Sequence, residues 1–233
     1  GYSNNPLRRE VSNIMTVKIN ADTSDGLKFV SDTSGAIDFQ SNGVTKMSMD
    51  SSGNLTANSF VGSGLVRLAG ETLSADASSI EISASTLTTS YNNYELYVNL
   101  QPKTDGQQIL FRLRDSSAAI LNTVADFRQQ AYRGGNGQDF SDTSMSALTV
   151  ITGIGNETAE SCFVRYSISN LRHSTKHTLV NFHSCGVPTG GTIFTTLGTF
   201  NTVTAEDNQG IQLTFASGDI ASGSSYVLYG VNN

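Results

Sequence analysis

The sequence of 233 residues contains no tryptophan, two cysteines and three prolines, and charged residues make up only 15% of it. No apolar run reaches the length of about 18 residues that a membrane-spanning helix needs, so we expect no membrane insertion. The formal net charge is −6. This charge disfavours nucleic acid as a partner, because binding to a phosphate backbone depends on basic patches.

The two cysteines, Cys162 and Cys185, allow one disulfide at most. Nothing in their spacing fixes such a bond. The favoured interpretation is therefore two buried free thiols in strands, and a disulfide is the alternative.

Small polar residues are abundant instead, with Ser, Thr and Asn prominent and 22 glycines. This composition favours short strands and many turns over helices. It also suits a surface that lies against other protein subunits, and disordered chains share the same bias. Periodic strand patterns throughout the second half of the chain argue against disorder there.

The clearest strand patterns lie in the stretch 91–122. Between Tyr94 and Leu100 every second residue is apolar, which is typical of a half-buried strand. The turn Pro102–Gly106 follows, and Ile109–Arg114 resumes the alternation. We interpret this stretch as the centre of an antiparallel sandwich.

Further strands are predicted at regular spacing from Ser79 to the C-terminus, without a helical period anywhere. The sequence therefore predicts an all-β fold, an antiparallel β-sandwich or jelly roll. The segment before the first of these strands, from Leu65, is interpreted as a linker. The predicted strand regions are Ser79–Ser83, Asn122–Gly137 with the loop Gly134–Gly137 at its end, Met145–Ile154, Ser161–Leu171, Thr178–Cys185, Thr192–Phe200, Gly210–Ala216 and Ser225–Val231.

The segment Gly26–Ser63 has a different pattern, in which very short apolar-alternating runs recur between glycine-containing turns. Each run is too short to bury its apolar side alone. Such strand-turn repeats need neighbours, either further repeats or identical chains around an axis. Because only about three repeats are present, we favour identical chains.

Two parts of the chain resemble bacteriophage tail fibres and related virion proteins. The run Ala36–Leu55, with its Asn-Gly turn and its Asp-Ser-Ser-Gly-Asn segment, is similar to their shaft repeats. Four motifs together resemble the C-terminal β-sandwich of many such proteins: Thr89–Leu96, Pro102–Gly106, Leu113-Arg114 and Leu228–Val231. The resemblance implies a homotrimeric fibre on the virion, with other virion proteins of the tail or capsid as partners.

This interpretation divides the chain into three parts: an anchoring arm at 1–25, a short β-repeat shaft at 26–64 and a β-sandwich head at 65–233. In the arm, Pro6, Leu7, Arg8 and Arg9 are the candidates for attachment to the particle. The alternative for the arm is an ordinary flexible terminus.

The candidate ligand-binding residues follow a predicted strand and surround a glycine-rich loop. An exposed aromatic flanked by polar side chains could stack on a sugar ring and hydrogen-bond to its hydroxyl groups. An ordinary mobile loop is the alternative interpretation. The candidates are Tyr132, Arg133, Asn136, Gln138 and Asp139.

We expect neither a metal site nor a cofactor nor catalysis. His173, His177 and His183, with Cys185 nearby, form the one plausible metal set, but a turn at Arg172–Lys176 separates them. Glycan hydrolysis requires two carboxylates at a fixed separation, and no spacing favours any pair. The carboxylates considered are Asp105, Asp126, Asp139, Asp142, Glu206 and Asp207.

The predicted function is therefore non-enzymatic adhesion of a virion fibre to a host-surface glycan or protein. A structural adaptor or a decoration protein of tail or capsid, without its own receptor, is the alternative. A glycan-cleaving tail spike is a more distant one.

Overall fold

The computed structural model describes residues 36–52, 55–57, 64–134, 138–150 and 152–231. Every regular element in these ranges is a β-strand, and no helix long and apolar enough to cross a membrane occurs among them. The chain divides into two units, Gly1–Ser59 and Phe60–Asn233. The predicted anchoring residues Pro6, Leu7, Arg8 and Arg9 and the start of the predicted shaft lie outside the described ranges, as does Asn136.

The described part of the first unit is a small antiparallel sheet in the order β1-β2-β3. Its strands are β1 (Ile37–Ser41), β2 (Val44–Met49) and β3 (Leu55–Ala57). The Asn42-Gly43 turn joins β1 to β2, with φ angles of 53° and 73°. Two successive positive φ angles form the tight hairpin turn that an Asn-Gly pair favours.

This small sheet separates apolar from polar residues. The register pairs Ile37 with Met49 and Phe39 with Met47, so these apolar residues share one side. On the other side the Thr45 hydroxyl donates to Asp38 at 3.3 Å, and Gln40 donates to Thr45 at 3.4 Å. The strands predicted in this region are present, and their assembly into a trimeric shaft stays a prediction.

The described part of the second unit contains twelve strands. In chain order they are β4 (Leu65–Thr72), β5 (Ile80–Ile82), β6 (Asn93–Leu100), β7 (Ile109–Arg114), β8 (Phe127–Arg133), β9 (Gln138–Met145), β10 (Leu148–Thr149), β11 (Cys162–Ser169), β12 (Leu179–Gly186), β13 (Phe194–Thr202), β14 (Gly210–Phe215) and β15 (Ser225–Val231).

These strands form two antiparallel sheets that pack face to face. One has the order β4-β15-β6-β11-β12-β13-β8-β9 and the other the order β10-β7-β14-β5. The Phe111 ring of the smaller sheet lies 4.7 Å from the Tyr166 ring and 5.4 Å from the Phe200 ring of the larger sheet, measured between centroids. All three side chains are buried in the core. The prediction of an all-β fold with a β-sandwich is therefore confirmed.

The central pair of predicted strands is present but lies in two sheets. β6 pairs with β15 and β11, whereas β7 pairs with β14 and β10. The residues between them, which include the predicted turn Pro102–Gly106, carry the chain from one sheet to the other. Alternation predicts both strands, because each buries every second residue, but it does not identify the pairing partner.

Two strands that the sequence pattern missed are the edges of the larger sheet. β4 lies in the segment interpreted as a linker, and β9 follows the glycine-rich loop without being predicted. Among the described strands each pairs with one neighbour, β4 with β15 and β9 with β8. In β4 no position is fully buried, and half-buried residues alternate with exposed ones only over its first four positions, so the apolar signal is weak.

The two cysteines occupy adjacent strands but opposite faces of the sheet. The register pairs Cys162 with Gly186 and Cys185 with Phe163. Cys162 is buried and Cys185 is exposed, and both are free thiols. The prediction of two buried thiols is therefore wrong for Cys185, because the alternation that buries Cys162 turns Cys185 outward. Burial raises the pKa of the Cys162 thiol.

We expect one of the two thiols to react in the folded protein. The exposed Cys185 should be modified rapidly by a chromogenic disulfide reagent, and Cys162 should react only after denaturation, because a buried protonated thiol is inert. The reagent releases one coloured thiolate for each modified cysteine, so its absorbance with and without denaturant gives the number of reactive thiols. The Cys185→Ser variant should lose the rapid phase, and rapid modification of both thiols would contradict the described packing.

Candidate binding surface

The larger sheet has a solvent-facing surface, here termed the outer face, on the side opposite the smaller sheet. One row of this face runs in register across five strands: Tyr97, Arg165, His183, Leu197 and Tyr132. Phe163 and Cys185 lie in the adjacent row. The row spans about 19 Å, from four interstrand steps of about 4.8 Å each.

Strict alternation places these side chains outward. In β11 and β12 the outward-facing residues alternate with buried ones, among them Val164 and Phe182. Phe163, Leu197 and Tyr132 are nevertheless 44%, 48% and 47% exposed. The outer face therefore exposes large apolar side chains close together, although single exposed apolar residues are common on protein surfaces.

One end of the outer face is an aromatic group. The Tyr97 ring lies 6.0 Å from the Tyr229 ring and 6.3 Å from the Phe163 ring. The Arg165 guanidinium lies 5.8 Å from the Tyr97 ring centroid and donates to Glu95 at 2.8 Å. These contacts hold the aromatic rings beside a charged pair.

The other end is a shallow depression of about 520 Å³ lined by Gln130, Tyr132, Leu197 and Thr199. Gly198 follows Leu197 in β13, and the register places it between Phe182 of β12 and Ala131 of β8. A Cβ atom at Gly198 would lie 2.6 Å from the Ala131 Cβ and 2.7 Å from the Phe182 ring. Glycine is therefore needed there, because the buried ring passes under the strand at that point.

The structure separates the two best-described candidate residues. Tyr132 lies on the outer face, whereas the neighbouring Arg133 points to the opposite side of β8. There the Arg133 Nη2 donates to the Thr152 hydroxyl at 2.6 Å. Gln138 and Asp139 begin β9, where the register pairs them with Arg133 and Tyr132. The hairpin thus brings the backbones of these candidates together, but Tyr132 and Arg133 do not share one surface.

The histidines and acidic residues take separate places. Among the described residues no group of three His, Cys, Asp or Glu side chains is placed to hold a metal ion. His183 lies on the outer face, and the His173 ring nitrogen accepts a hydrogen bond from the Thr175 backbone at 3.3 Å.

Most of the candidate carboxylates have hydrogen-bond partners in the fold, some of them far away in the chain. Asp126 accepts from the Thr123 hydroxyl and Asp105 from the Thr189 hydroxyl, each at 2.6 Å, and Asp142 accepts from the Ser144 backbone at 2.9 Å. Asp207 pairs with Arg172 at 2.7 Å. Burial, followed by repulsion from Asp115 and Asp126, raises the pKa of Glu206.

The outer face, apart from Tyr132, is not evident as a site from local sequence patterns. The one sequence signal for this face is an apolar residue at a strand position that the alternation assigns to the solvent side, where polar residues are expected. Phe163 and Leu197 are such residues, and Leu179 is a third at 48% exposure. These residues belong to one surface only because the strand order of the sheet places residues that are far apart in the chain beside each other.

No protein-family model matches the chain, and no curated protein is similar to it in sequence. Among solved structures, the Caenorhabditis elegans galectin LEC-6 is 11% identical with a TM-score of 0.31, over 70% of this chain and 96% of that one. The PL-14 alginate lyase from Aplysia kurodai is 10% identical with a TM-score of 0.33, over 72% and 80%. These values are too low to transfer a function to this chain.

Proposed function

We propose that this protein is a non-enzymatic component of a bacteriophage virion fibre whose β-sandwich adheres to the host surface through its outer face. The observation that carries the proposal is the row of exposed aromatic, aliphatic and charged side chains across five strands. The resemblance of Ala36–Leu55 to fibre shaft repeats supports the placement on a virion.

The chemistry of the outer face suits a surface glycan. A tyrosine offers a flat apolar ring together with a hydroxyl group, and both match the C–H and O–H groups of a sugar. Arg165, His183 and Gln130 add hydrogen-bonding groups beside the rings. A long open face suits an extended polymer, because contacts can repeat along it.

Binding by one copy of such an open surface would be weak. A homotrimer, as the fibre resemblance implies, would present three outer faces to one cell surface. Linked copies gain avidity without new contacts, since the second and third binding events become intramolecular. Weak individual sites are therefore consistent with firm adhesion of a particle.

A structural role is the second candidate, and the aliphatic part of the outer face favours it. Leu179 and Leu197 are each 48% exposed, and aliphatic side chains fit a protein neighbour better than a sugar. In this case the same face would pack against another virion protein of the tail or capsid.

The adhesion proposal predicts that outer-face variants lose binding. In the full chain, the double variant Tyr132→Ser with Leu197→Ser should bind immobilised bacterial surface polysaccharides at least about tenfold more weakly, because two apolar contacts are removed. Val124→Ser is the matched control, since Val124 is a 68% exposed aliphatic residue in the loop before β8. Binding of the variants to a polysaccharide panel gives the measurement.

Incorporation into particles separates the two roles. If the double variant enters particles normally but does not bind polysaccharide, adhesion is supported. If it binds as the parent does but fails to enter particles, the structural role is supported. Release of reducing sugar from polysaccharide by the unmodified chain would contradict both.

A further inference from the structure

A second concave site surrounds Arg133, on the opposite side of β8 from Tyr132. It has a volume of about 460 Å³ and includes Arg133, Thr152, Pro188, Ile193 and Phe194 in its lining. Its walls come from distant parts of the chain: the end of β8, the segment after β10 and the loop before β13. The isolated pairing of Ile154 with Pro188 holds two of these segments together.

No acidic side chain pairs with Arg133 among the residues whose side chains the structure describes, a set that leaves out 138–140. Its Nη2 donates to the neutral Thr152 hydroxyl at 2.6 Å, and its Nε is buried without a hydrogen-bond partner. The ion pairs of the described residues all involve other cations. A half-buried guanidinium that donates only to a neutral hydroxyl interacts more strongly with an anionic acceptor, so the pocket favours a ligand with an anionic group.

The walls beside Arg133 are apolar. The Phe194 ring lies 5.7 Å from the Arg133 guanidinium carbon, and Ile193 is 71% exposed at the rim. Pro188 adds a third apolar surface. A ligand that fits this arrangement carries one anionic group and an adjoining ring with an apolar face.

The charge around the pocket favours a monoanion. The Thr189 hydroxyl at its margin donates to Asp105 at 2.6 Å, which places a carboxylate close to the site. This carboxylate would repel a dianionic phosphate more than a carboxylate group. A planar carboxylate also matches the planar donor arrangement of a guanidinium.

We infer that this pocket binds the carboxylate of an acidic sugar, with Arg133 as the anion-binding residue and Phe194 as the surface for the sugar ring. The site is separate from the outer face, and the inference does not rest on adhesion through that face. An acidic glycan could therefore contact this protein even if the outer face has another role.

Glucuronate and glucose are suitable probes, because they differ only in a carboxylate against a hydroxymethyl group. We expect glucuronate to bind the full chain at least about tenfold more tightly than glucose, measured by chemical-shift titration. Arg133→Gln should abolish this preference, and Arg133→Lys should restore part of it because the charge remains. Arg128→Gln is the matched control, since Arg128 is an exposed arginine on the same strand.

Several results would overturn the inference. These are equal binding of glucuronate and glucose, an unchanged preference in Arg133→Gln, and tighter binding of inorganic phosphate than of glucuronate. The comparison of glucuronate with glucose on the unmodified chain needs no variant, so it stands even if Arg133→Gln does not fold. The Tyr132→Ser with Leu197→Ser variant should keep the glucuronate preference, which separates failure of this inference from failure of the adhesion proposal.

Discussion

Replacing Phe111 by alanine should lower the free energy of unfolding by about 4 kcal/mol, the largest effect of a single side chain that we expect. Phe111 is fully buried in β7 and packs against Tyr166 and Phe200 of the opposite sheet. The smaller side chain leaves a cavity between two sheets whose backbones are fixed by their hydrogen bonds, so the site cannot collapse fully. Denaturant unfolding of the full chain measures the loss.

Phe163→Ala is the matched control, because it makes the same change on the outer face of β11. Phe163 is 44% exposed, so its removal should cost about 1 kcal/mol or less. If Phe111→Ala does not fold, Phe111→Leu gives a smaller loss that remains measurable. Equal losses for Phe111→Ala and Phe163→Ala would contradict the packing of the two sheets against each other.

The strands that the sequence predicted well are those in the middle of a sheet. β7 and β15 have the predicted bounds, and β11 begins one residue later and ends two residues earlier than predicted. In β11, Cys162, Val164, Tyr166 and Ile168 are buried and the residues between them face outward, as their alternation indicates. A central strand carries a strong signal, because one of its faces is fully covered by the opposite sheet.

The pairing of strands could not be predicted in the same way. β6 and β7 follow each other in the chain, yet they belong to different sheets, because the connection between them crosses from one layer to the other. Alternation shows which residues of a strand are buried, but not which strand lies beside it. Pairing depends on contacts between residues far apart in the sequence.

The candidate site shows what alternation within a strand predicts and what it leaves open. Alternation places Tyr132 and Arg133 on opposite faces of the sheet, provided that the strand continues through Arg133. No local pattern predicts the contacts of Arg133 with Thr152 and Phe194, because the three residues come from separate segments of the chain. The residues that the sequence groups into one candidate site therefore lie on two surfaces of the fold.

Arg172 should be the ionic residue with the largest effect on stability. Its Nε and Nη2 donate to the two carboxylate oxygens of Asp207 at 2.7 and 3.2 Å. Its Nη1 donates to the Leu87 carbonyl. The Arg172 and Asp207 side chains are 12% and 26% exposed, so water screens the pair only in part. Arg172 thereby connects three loops of the sandwich.

We expect Arg172→Met to lower the free energy of unfolding by about 3 kcal/mol at pH 7, because it removes the cationic partner of a partly buried carboxylate and a donor to the Leu87 carbonyl. Lys103→Met is the control, since the Lys103–Asp76 pair joins more exposed side chains, 52% and 39% exposed, and should change stability little. Denaturant unfolding compares the two variants, and equal effects would contradict the described role of Arg172.

The pH dependence tests the same pair independently. The hydrogen bond from Arg172 lowers the pKa of Asp207 below its usual value. A carboxyl whose pKa is lowered by folding stabilises the protein above its unfolded pKa of about 3.9, and this stabilisation is lost as the pH falls through the folded pKa. The stability difference between the parent chain and Arg172→Met should therefore be constant above about pH 5 and should shrink in more acidic solution. A difference that stays constant in acid would assign the effect of Arg172 to packing and to its carbonyl contacts, because neither depends on the charge of Asp207.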